Sequence, residues 1–322
     1  MNAAGEELIK ISGLSKHFAL GQGRKLRAVD GVSMSIRRGE TLGLVGESGC
    51  GKTTLGRILV RLFDQSGGSY QFEGQEVPGR LSQAQRRRFS RKVQMIFQDP
   101  SASLDPRMTS GEIIAEGPDI HGMWQPAERR ERIRYWLHRV GLRPDHAARY
   151  PHEFSGGQKQ RICIARALAV NPRFVVCDEP ISALDASIQA QIIMLLRQLQ
   201  QESELTYLFI AHNLDMVRYV ADRMAVMYWG RLVELGPSRD VFTSPCHPYT
   251  RALIDASPRP DPRLERDRKE DVLGGEIAPS LNGHPGCVFA GRCCLARDRC
   301  GSEVPQLREI GPGHWVACHL PQ

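Results

Sequence analysis

The chain has no apolar run near the ~18 residues that a membrane-crossing helix needs, so any membrane role is expected to come through a partner. Met1 to Lys10 lacks the basic flank and apolar stretch of a secretory signal, which predicts synthesis and retention in the cytosol. No internal repeat is present, which predicts a single copy of the main domain. A C-x2-C pair, a coiled-coil insertion and a Lys/Arg tail interleaved with aromatics are all missing. Those absences weigh against a zinc ribbon and against a simple nucleic-acid-binding tail.

The 322 residues suffice for one large domain or two smaller ones. At 41% hydrophobic and 25% charged, the composition is that of a globular protein. The net charge of +7 suits an anionic partner such as a nucleotide or a lipid surface.

Leu8 to Phe18 and Ala28 to Ile36 read as strands, and Thr41 to Val45 is a short apolar strand running into glycines. Strand, Gly-rich turn and helix in that order begin an α/β unit. Between Asp99 and Glu153 a helical insert is expected, with Ile133, Trp136, Leu137 and Val140 at helical spacing. A helix (Gly156 to Ala169), a buried strand (Phe174 to Cys177), a long helix (Ile188 to Gln201), a strand (Tyr207 to Ile210) and a hairpin (Met224 to Leu235) follow. Ser257 to Glu270, rich in Pro, Arg and Asp, reads as a linker.

Gly46-Glu47-Ser48-Gly49-Cys50-Gly51-Lys52-Thr53 fits G-x-x-x-x-G-K-[ST], with Thr54 next in the helix. Glycines let backbone N–H groups turn onto phosphate oxygens without a Cβ in the way. The helix starting near Lys52 aims its partly positive end at the same oxygens. Lys52 is expected to reach the β- and γ-phosphates and Thr53 to bind Mg²⁺. Downstream, the strand from Phe174 ends in Asp178 and Glu179. A buried acid needs a cation or a proton, so Asp178 is expected to hold Mg²⁺ through water. Glu179 is then placed to polarise the attacking water, a role worth about 10²–10⁴ in rate. A solvated acidic turn is the plain alternative for that pair taken alone.

Phe154-Ser155-Gly156-Gly157-Gln158 resembles the LSGGQ signature of ABC transporter nucleotide-binding subunits, with Phe154 in place of the usual Leu. The chain is therefore identified as similar to that family over about Leu8 to Ser257. Physically the motif is a second anion site, in which Ser155 caps a helix and two small glycines permit close approach. The resemblance implies further roles. Gln98 matches the Q-loop, contacting Mg²⁺ or the attacking water. Ser182-Ala183-Leu184-Asp185 resembles the D-loop, so Asp185 is expected at the dimer seam. His212 matches the switch histidine at the γ-phosphate, and Phe18 the aromatic that stacks on adenine, with neighbouring His17 as the alternative.

The fold implied is α/β: a P-loop NTPase core of RecA type, an antiparallel β subdomain and a helical subdomain at about 99–170, together forming an ATPase domain over 1–257. Residues 258–322 are expected to hold the linker and a Cys-rich extension. The resemblance implies a head-to-tail dimer with ATP between one subunit's phosphate loop and the other's signature. Binding closes the dimer, and hydrolysis opens it. Expected partners are two transmembrane permeases, a second ATPase subunit (self or sister) and, indirectly, a periplasmic or extracellular solute-binding protein. No nucleic acid is expected. The expected location is peripheral, on the cytoplasmic face of the cell membrane.

His247-Pro248-Tyr249-Thr250-Arg251-Ala252-Leu253 and Gly286-Cys287-Val288-Phe289-Ala290-Gly291-Arg292-Cys293 resemble the extension of oligopeptide and dipeptide importer ATPases. Peptide is thus the expected cargo, with nickel, opines or another small solute as alternatives. A soluble ABC ATPase acting on nucleic acid is the alternative of another class. Cys287, Cys293, Cys300 and Cys318 stand as C-x5-C-x6-C-x17-C, a set that could hold Zn²⁺ or an iron–sulfur cluster or stay unligated. The wide spacing and the resemblance favour [4Fe–4S]. Cys294 stands where relatives usually have Pro and could compete as a ligand. A tail acting as a redox or iron sensor that gates transport is a third hypothesis.

Overall fold

The computed structural model describes residues 5–256, apart from 22, 183 and 213, and residues 283–321. The linker expected at Ser257 to Glu270 lies outside them.

Two long strands open the chain, β1 (Glu7–Ala19) and β2 (Lys25–Arg37). With β4 (Gly67–Phe72) and β5 (Gln75–Glu76) they form an antiparallel sheet in the order β2-β1-β4-β5. The main sheet comprises β3 (Thr41–Val45), β6 (Val93–Ile96), β7 (Phe174–Asp178), β8 (Thr206–Ile210), β9 (Arg223–Tyr228) and β10 (Arg231–Pro237), joined by β11 (Arg308–Gly311) and β12 (His314–Val316). Its order is β11-β12-β10-β9-β3-β8-β7-β6. The five strands from β9 to β6 run parallel to their neighbours, and their largely buried, mostly apolar runs reflect cover on both faces. Alternation splits each strand between two cores: Val175, Cys177, Phe209 and Val226 face one, and Phe174, Val176, Leu208 and Ala225 the other.

The helices are α1 (Lys52–Leu59), α2 (Gln83–Lys92), α3 (Pro100–Ser103), α4 (Ser110–His121), α5 (Pro126–Arg139), α6 (Gly156–Leu168), α7 (Ala186–Ser203), α8 (Leu214–Val220), α9 (Ser238–Thr243), α10 (Pro248–Ala256) and α11 (Asp298–Ser302). α3 to α5 supply the expected helical insert, and Ile133, Trp136 and Leu137 are its buried face on α5. Thr109 caps α4 through a capping box with Glu112. The hairpin between β9 and β10 turns on Trp229 and Gly230, both at positive φ, as the type I′ form of a two-residue hairpin turn requires.

The Cys-bearing tail does not stand apart from this frame. β12 pairs with β10, Glu234 opposite Val316 and Leu235 opposite Trp315, so the tail lengthens the main sheet. Among the described residues no helix is long and apolar enough to cross a membrane.

Candidate functional site: a nucleotide-binding centre

The phosphate loop leaves β3 and enters α1. Gly46, Gly49 and Gly51 have φ of 149°, 80° and 107°. A Cβ on Gly46 would fall 2.1 Å from the Met227 carbonyl oxygen, and one on Gly51 2.1 Å from that of Ala28. Both positions are therefore closed to other residues by space as well as by torsion. The β9–β10 turn props the loop from below, since the Gly230 N–H donates to the Cys50 carbonyl at 2.8 Å.

Lys52 is buried, and its ammonium donates to the carbonyls of Gly46 and Glu47, each at 2.8 Å. The cation is thus held over the loop that would receive phosphate. Gly51, at the N-cap of α1, offers no side-chain cap, so the first N–H groups of the helix stay available to an anion. Ser48 and Gly49 are exposed at the rim, Cys50 is buried beneath it, and Thr54 is half-buried on α1. Burial pushes the Cys50 thiol up, against the pull of Lys52, which keeps it a neutral packing residue.

Thr53 donates its hydroxyl to Asp178 at 2.9 Å. Asp178 is 2% exposed, and burial raises its carboxyl above the ordinary value, partly countered by the Thr53 bond. A hydroxyl and a buried acid at the end of a parallel strand are a donor set that fits Mg²⁺. Glu179 follows at φ 44°, in the left-handed region, a costly conformation for a non-glycine residue and one found at functional sites. That turn separates the two acids. Asp178 faces Thr53, while Glu179 meets Gln98 at 2.9 Å and His212 at 3.5 Å. Ser48, Gln98, Glu179, Ser182 and His212 border one open cleft.

The signature residues do not join this cluster. Ser155 caps α6 in a reciprocal box with Gln158, its N–H donating to the Gln158 side chain at 3.0 Å. Ser155 and Gly156 are exposed. A Cβ on Gly157 would fall 2.5 Å from Ile188, and one on Gly156 3.4 Å from Leu184, so these glycines seat α6 against the start of α7. Asp185 is the exposed N-cap of α7, and Ala183 lies outside the described residues. Phe18 is half-buried, edge-on to Phe63 at 5.6 Å with the Lys16 ammonium 5.2 Å from its ring. His17 turns instead towards Asp30, at 3.9 Å.

Cys287, Cys293, Cys300 and Cys318 line one small enclosed cavity with His247 and Phe289. Burial pushes the Cys287 thiol up to about 11. Cys294 is exposed and does not line that cavity. Among the described residues, the group of three possible ligands lying within 4.8 Å of one another is instead Glu234, Cys246 and His314. Glu234, fully buried on β10, accepts the N–H groups of Cys246 (2.8 Å) and His247 (3.0 Å) and meets the His314 ring at 2.7 Å. One glutamate thus pins both parts of the tail to the sheet.

Sequence reasoning missed Glu47, Tyr249 and Arg292 as parts of this centre. The Glu47 N–H donates to the Tyr249 hydroxyl at 2.9 Å. The Arg292 guanidinium grips the Glu47 carboxylate with two bonds of 2.9 and 3.1 Å. Only an arginine beside a tail cysteine and an acid inside the loop could have hinted at the pair.

The family model described as "ABC transporter" matches residues 29–182, and the one described as "Oligopeptide/dipeptide transporter, C-terminal region" matches residues 233–300. YkfD of Bacillus subtilis is 52% identical over 314 residues, 97% of this chain and 95% of that one. The oligopeptide transport ATP-binding protein OppF of Bacillus subtilis is 50% identical over 314 residues, 97% of this chain and 96% of that one. The dimeric post-hydrolysis state of the ATP-binding cassette MJ0796, bound to ADP and Pi, superimposes with a TM-score of 0.65 at 27% identity, covering 72% of this chain and 99% of that one. Phosphate loop, paired acids, glutamine and histidine at one cleft, joined to these likenesses, place the chain in the ATP-binding subunit family of ABC transporters, on its oligopeptide/dipeptide branch.

Proposed function

We propose that this chain is the ATP-hydrolysing subunit of a peptide importer, working as a dimer on the cytoplasmic face of a membrane. The observation that carries the reading is the meeting of Gln98, Glu179 and His212 opposite a loop whose Lys52 and Thr53–Asp178 pair await a triphosphate.

The chemistry follows from the positions of these groups. Loop N–H groups and Lys52 bind the phosphates and offset their charge. Mg²⁺, when bound by Thr53, Asp178 and Gln98, would neutralise further charge on the β- and γ-phosphates. Glu179 orients the attacking water and takes its proton, Gln98 holds the Glu179 carboxylate in place, and His212 contacts the γ-phosphate. Ser155 to Gln158 of a second subunit cover the γ-phosphate from the other side, with Asp185 near the seam. The exposure of Ser155 and Gly156 supports that assignment, because a helix end reserved for another subunit must be open in the single chain. Phe18 serves as the adenine platform, with the His17 ring turned towards Asp30. Two permeases and a second ATPase complete the assembly, and a solute-binding protein delivers cargo. OppF carries a name of oligopeptide transport, which supports peptide over nickel, opines or nucleic acid.

The same reading takes the four tail thiols as an iron–sulfur site rather than a zinc site, on their wide spacing along the chain and their shared cavity. Tetrahedral Zn²⁺ with bonds of about 2.3 Å needs its sulfurs roughly 3.8 Å apart. No three of the four come within 4.8 Å of one another, though all border one cavity. When bound, a [4Fe–4S] cluster would cross-link Cys287, Cys293 and Cys300 to Cys318, next to β12.

Co-expression with candidate permeases tests the main reading. Hydrolysis should rise when a peptide-loaded binding protein is added to the reconstituted complex. Failure to bind any permease, with capture of nucleic acid instead, would overturn it.

A further inference from the structure

We propose that Arg292 and Tyr249 are positioning residues of the phosphate loop, and that through Glu47 they set the affinity of the site for ATP. The proposal rests on the reading of residues 46–53 as the triphosphate cradle.

Glu47 is the second residue of that cradle, and its carbonyl is one of the two that hold the Lys52 ammonium. An unpaired carboxylate in a loop built to receive a polyphosphate would repel it. Arg292 removes that charge in the strongest available form, two parallel bonds from a planar fork. The pair is well shielded, with the side chains 9% and 20% exposed, so solvent screens it little. Tyr249 fixes the same residue by its backbone. Its hydroxyl accepts the Glu47 N–H, which orients one peptide of the loop.

Both residues are themselves held rigidly. The Tyr228, Tyr249 and Phe289 rings pack together with centroids 4.5 to 5.4 Å apart. Arg292 also reaches the Tyr228 hydroxyl at 3.3 Å, and its N–H bonds the Phe289 carbonyl at 3.0 Å. Arg292 lies 245 residues from Glu47 in sequence, in the short turn Ala290–Arg292 that runs into Cys293. The tail thus contributes one charged and one polar contact to the nucleotide loop itself.

The test uses the full chain and a non-hydrolysable ATP analogue in calorimetry, alongside steady-state ATP hydrolysis and melting of the nucleotide-free protein. Arg292→Gln should raise Kd and KM about tenfold (1.4 kcal/mol) with kcat at saturating ATP little changed. Arg292→Lys should recover part of the loss. In a Glu47→Gln background, where no charge is left to offset, Arg292→Gln should cost less than threefold. Wild-type Kd and KM in Arg292→Gln, whether or not the melting point falls, would reduce the pair to a scaffold contact. Equal losses in both backgrounds would refute the coupling through Glu47. Should Arg292→Gln not fold, Tyr249→Phe keeps the ring and deletes only the hydroxyl; an unchanged Kd there would count against the proposal. Absence of analogue binding by the wild type would instead defeat the cradle reading itself.

Discussion

Gln98, just beyond β6, donates its side-chain amide to the Glu179 carboxylate beyond β7 at 2.9 Å. The contact joins the entrance of the helical subdomain to the proposed general base. His212 stands 3.5 Å from the same oxygen. A shift of the helices that follow Gln98 would therefore be felt at Glu179 directly.

Replacing Glu179 by Gln removes the base but keeps a partner for Gln98. Turnover should fall by about 10²-fold or more while ATP still binds. With ATP present, light scattering should report a dimer for this variant. Brisk steady-state hydrolysis would contradict the assignment.

Gln98→Ala frees the Glu179 carboxylate without touching the phosphate loop. With Thr53 and Asp178 still able to hold Mg²⁺, nucleotide affinity should fall by no more than about threefold as kcat drops roughly tenfold or more. A change confined to KM would place Gln98 in binding and not in the hydrolytic step.

Gly51→Ala introduces a Cβ 2.1 Å from the Ala28 carbonyl oxygen at a φ of 107°. Strain and overpacking together should cost about 3 kcal/mol or more. A melting temperature within 2 °C of the wild type, roughly the change expected from less than 1 kcal/mol in a domain of this size, would show that the loop is not so tightly held.

Burial holds the His247 imidazole down to about 4, below its ordinary 6.5. Its Nδ1 accepts the Tyr249 N–H, which requires the neutral ring at that nitrogen. The unfolded chain therefore binds this proton first on acidification. Stability from this group is fully present above about pH 6.5 and is lost as pH falls towards 4, by up to about 3 kcal/mol. His247→Asn should flatten denaturant midpoints over that window. An unchanged pH slope would show that His247 is not the titrating group.

Cys300→Ser should lose iron, sulfide and visible absorbance together if the four thiols hold a cluster. Protein prepared without oxygen and found to contain zinc or no metal would refute that reading. Burial keeps the Cys287 thiol protonated at neutral pH unless a metal takes the proton's place, so its alkylation rate offers an independent check.

The sequence by itself determined the local parts, because their chemistry is written in short spacings. Gly46 to Thr53 read as a tight turn into a helix, and Phe174 to Cys177 as a buried strand followed by two acids. Helical spacing alone located the buried face of Ile133, Trp136 and Leu137. Tertiary structure decided what those parts meet. The exposed stretch of α2 had no apolar stripe to reveal it, and β11 and β12 were too short to show a period. That the tail lengthens the main sheet depends on β12 finding the free edge of β10. That Arg292 ends on Glu47 depends on an aromatic cluster assembled from three distant segments. Such contacts carry no periodicity, since two charges 245 residues apart are brought together only by the packing of everything between them.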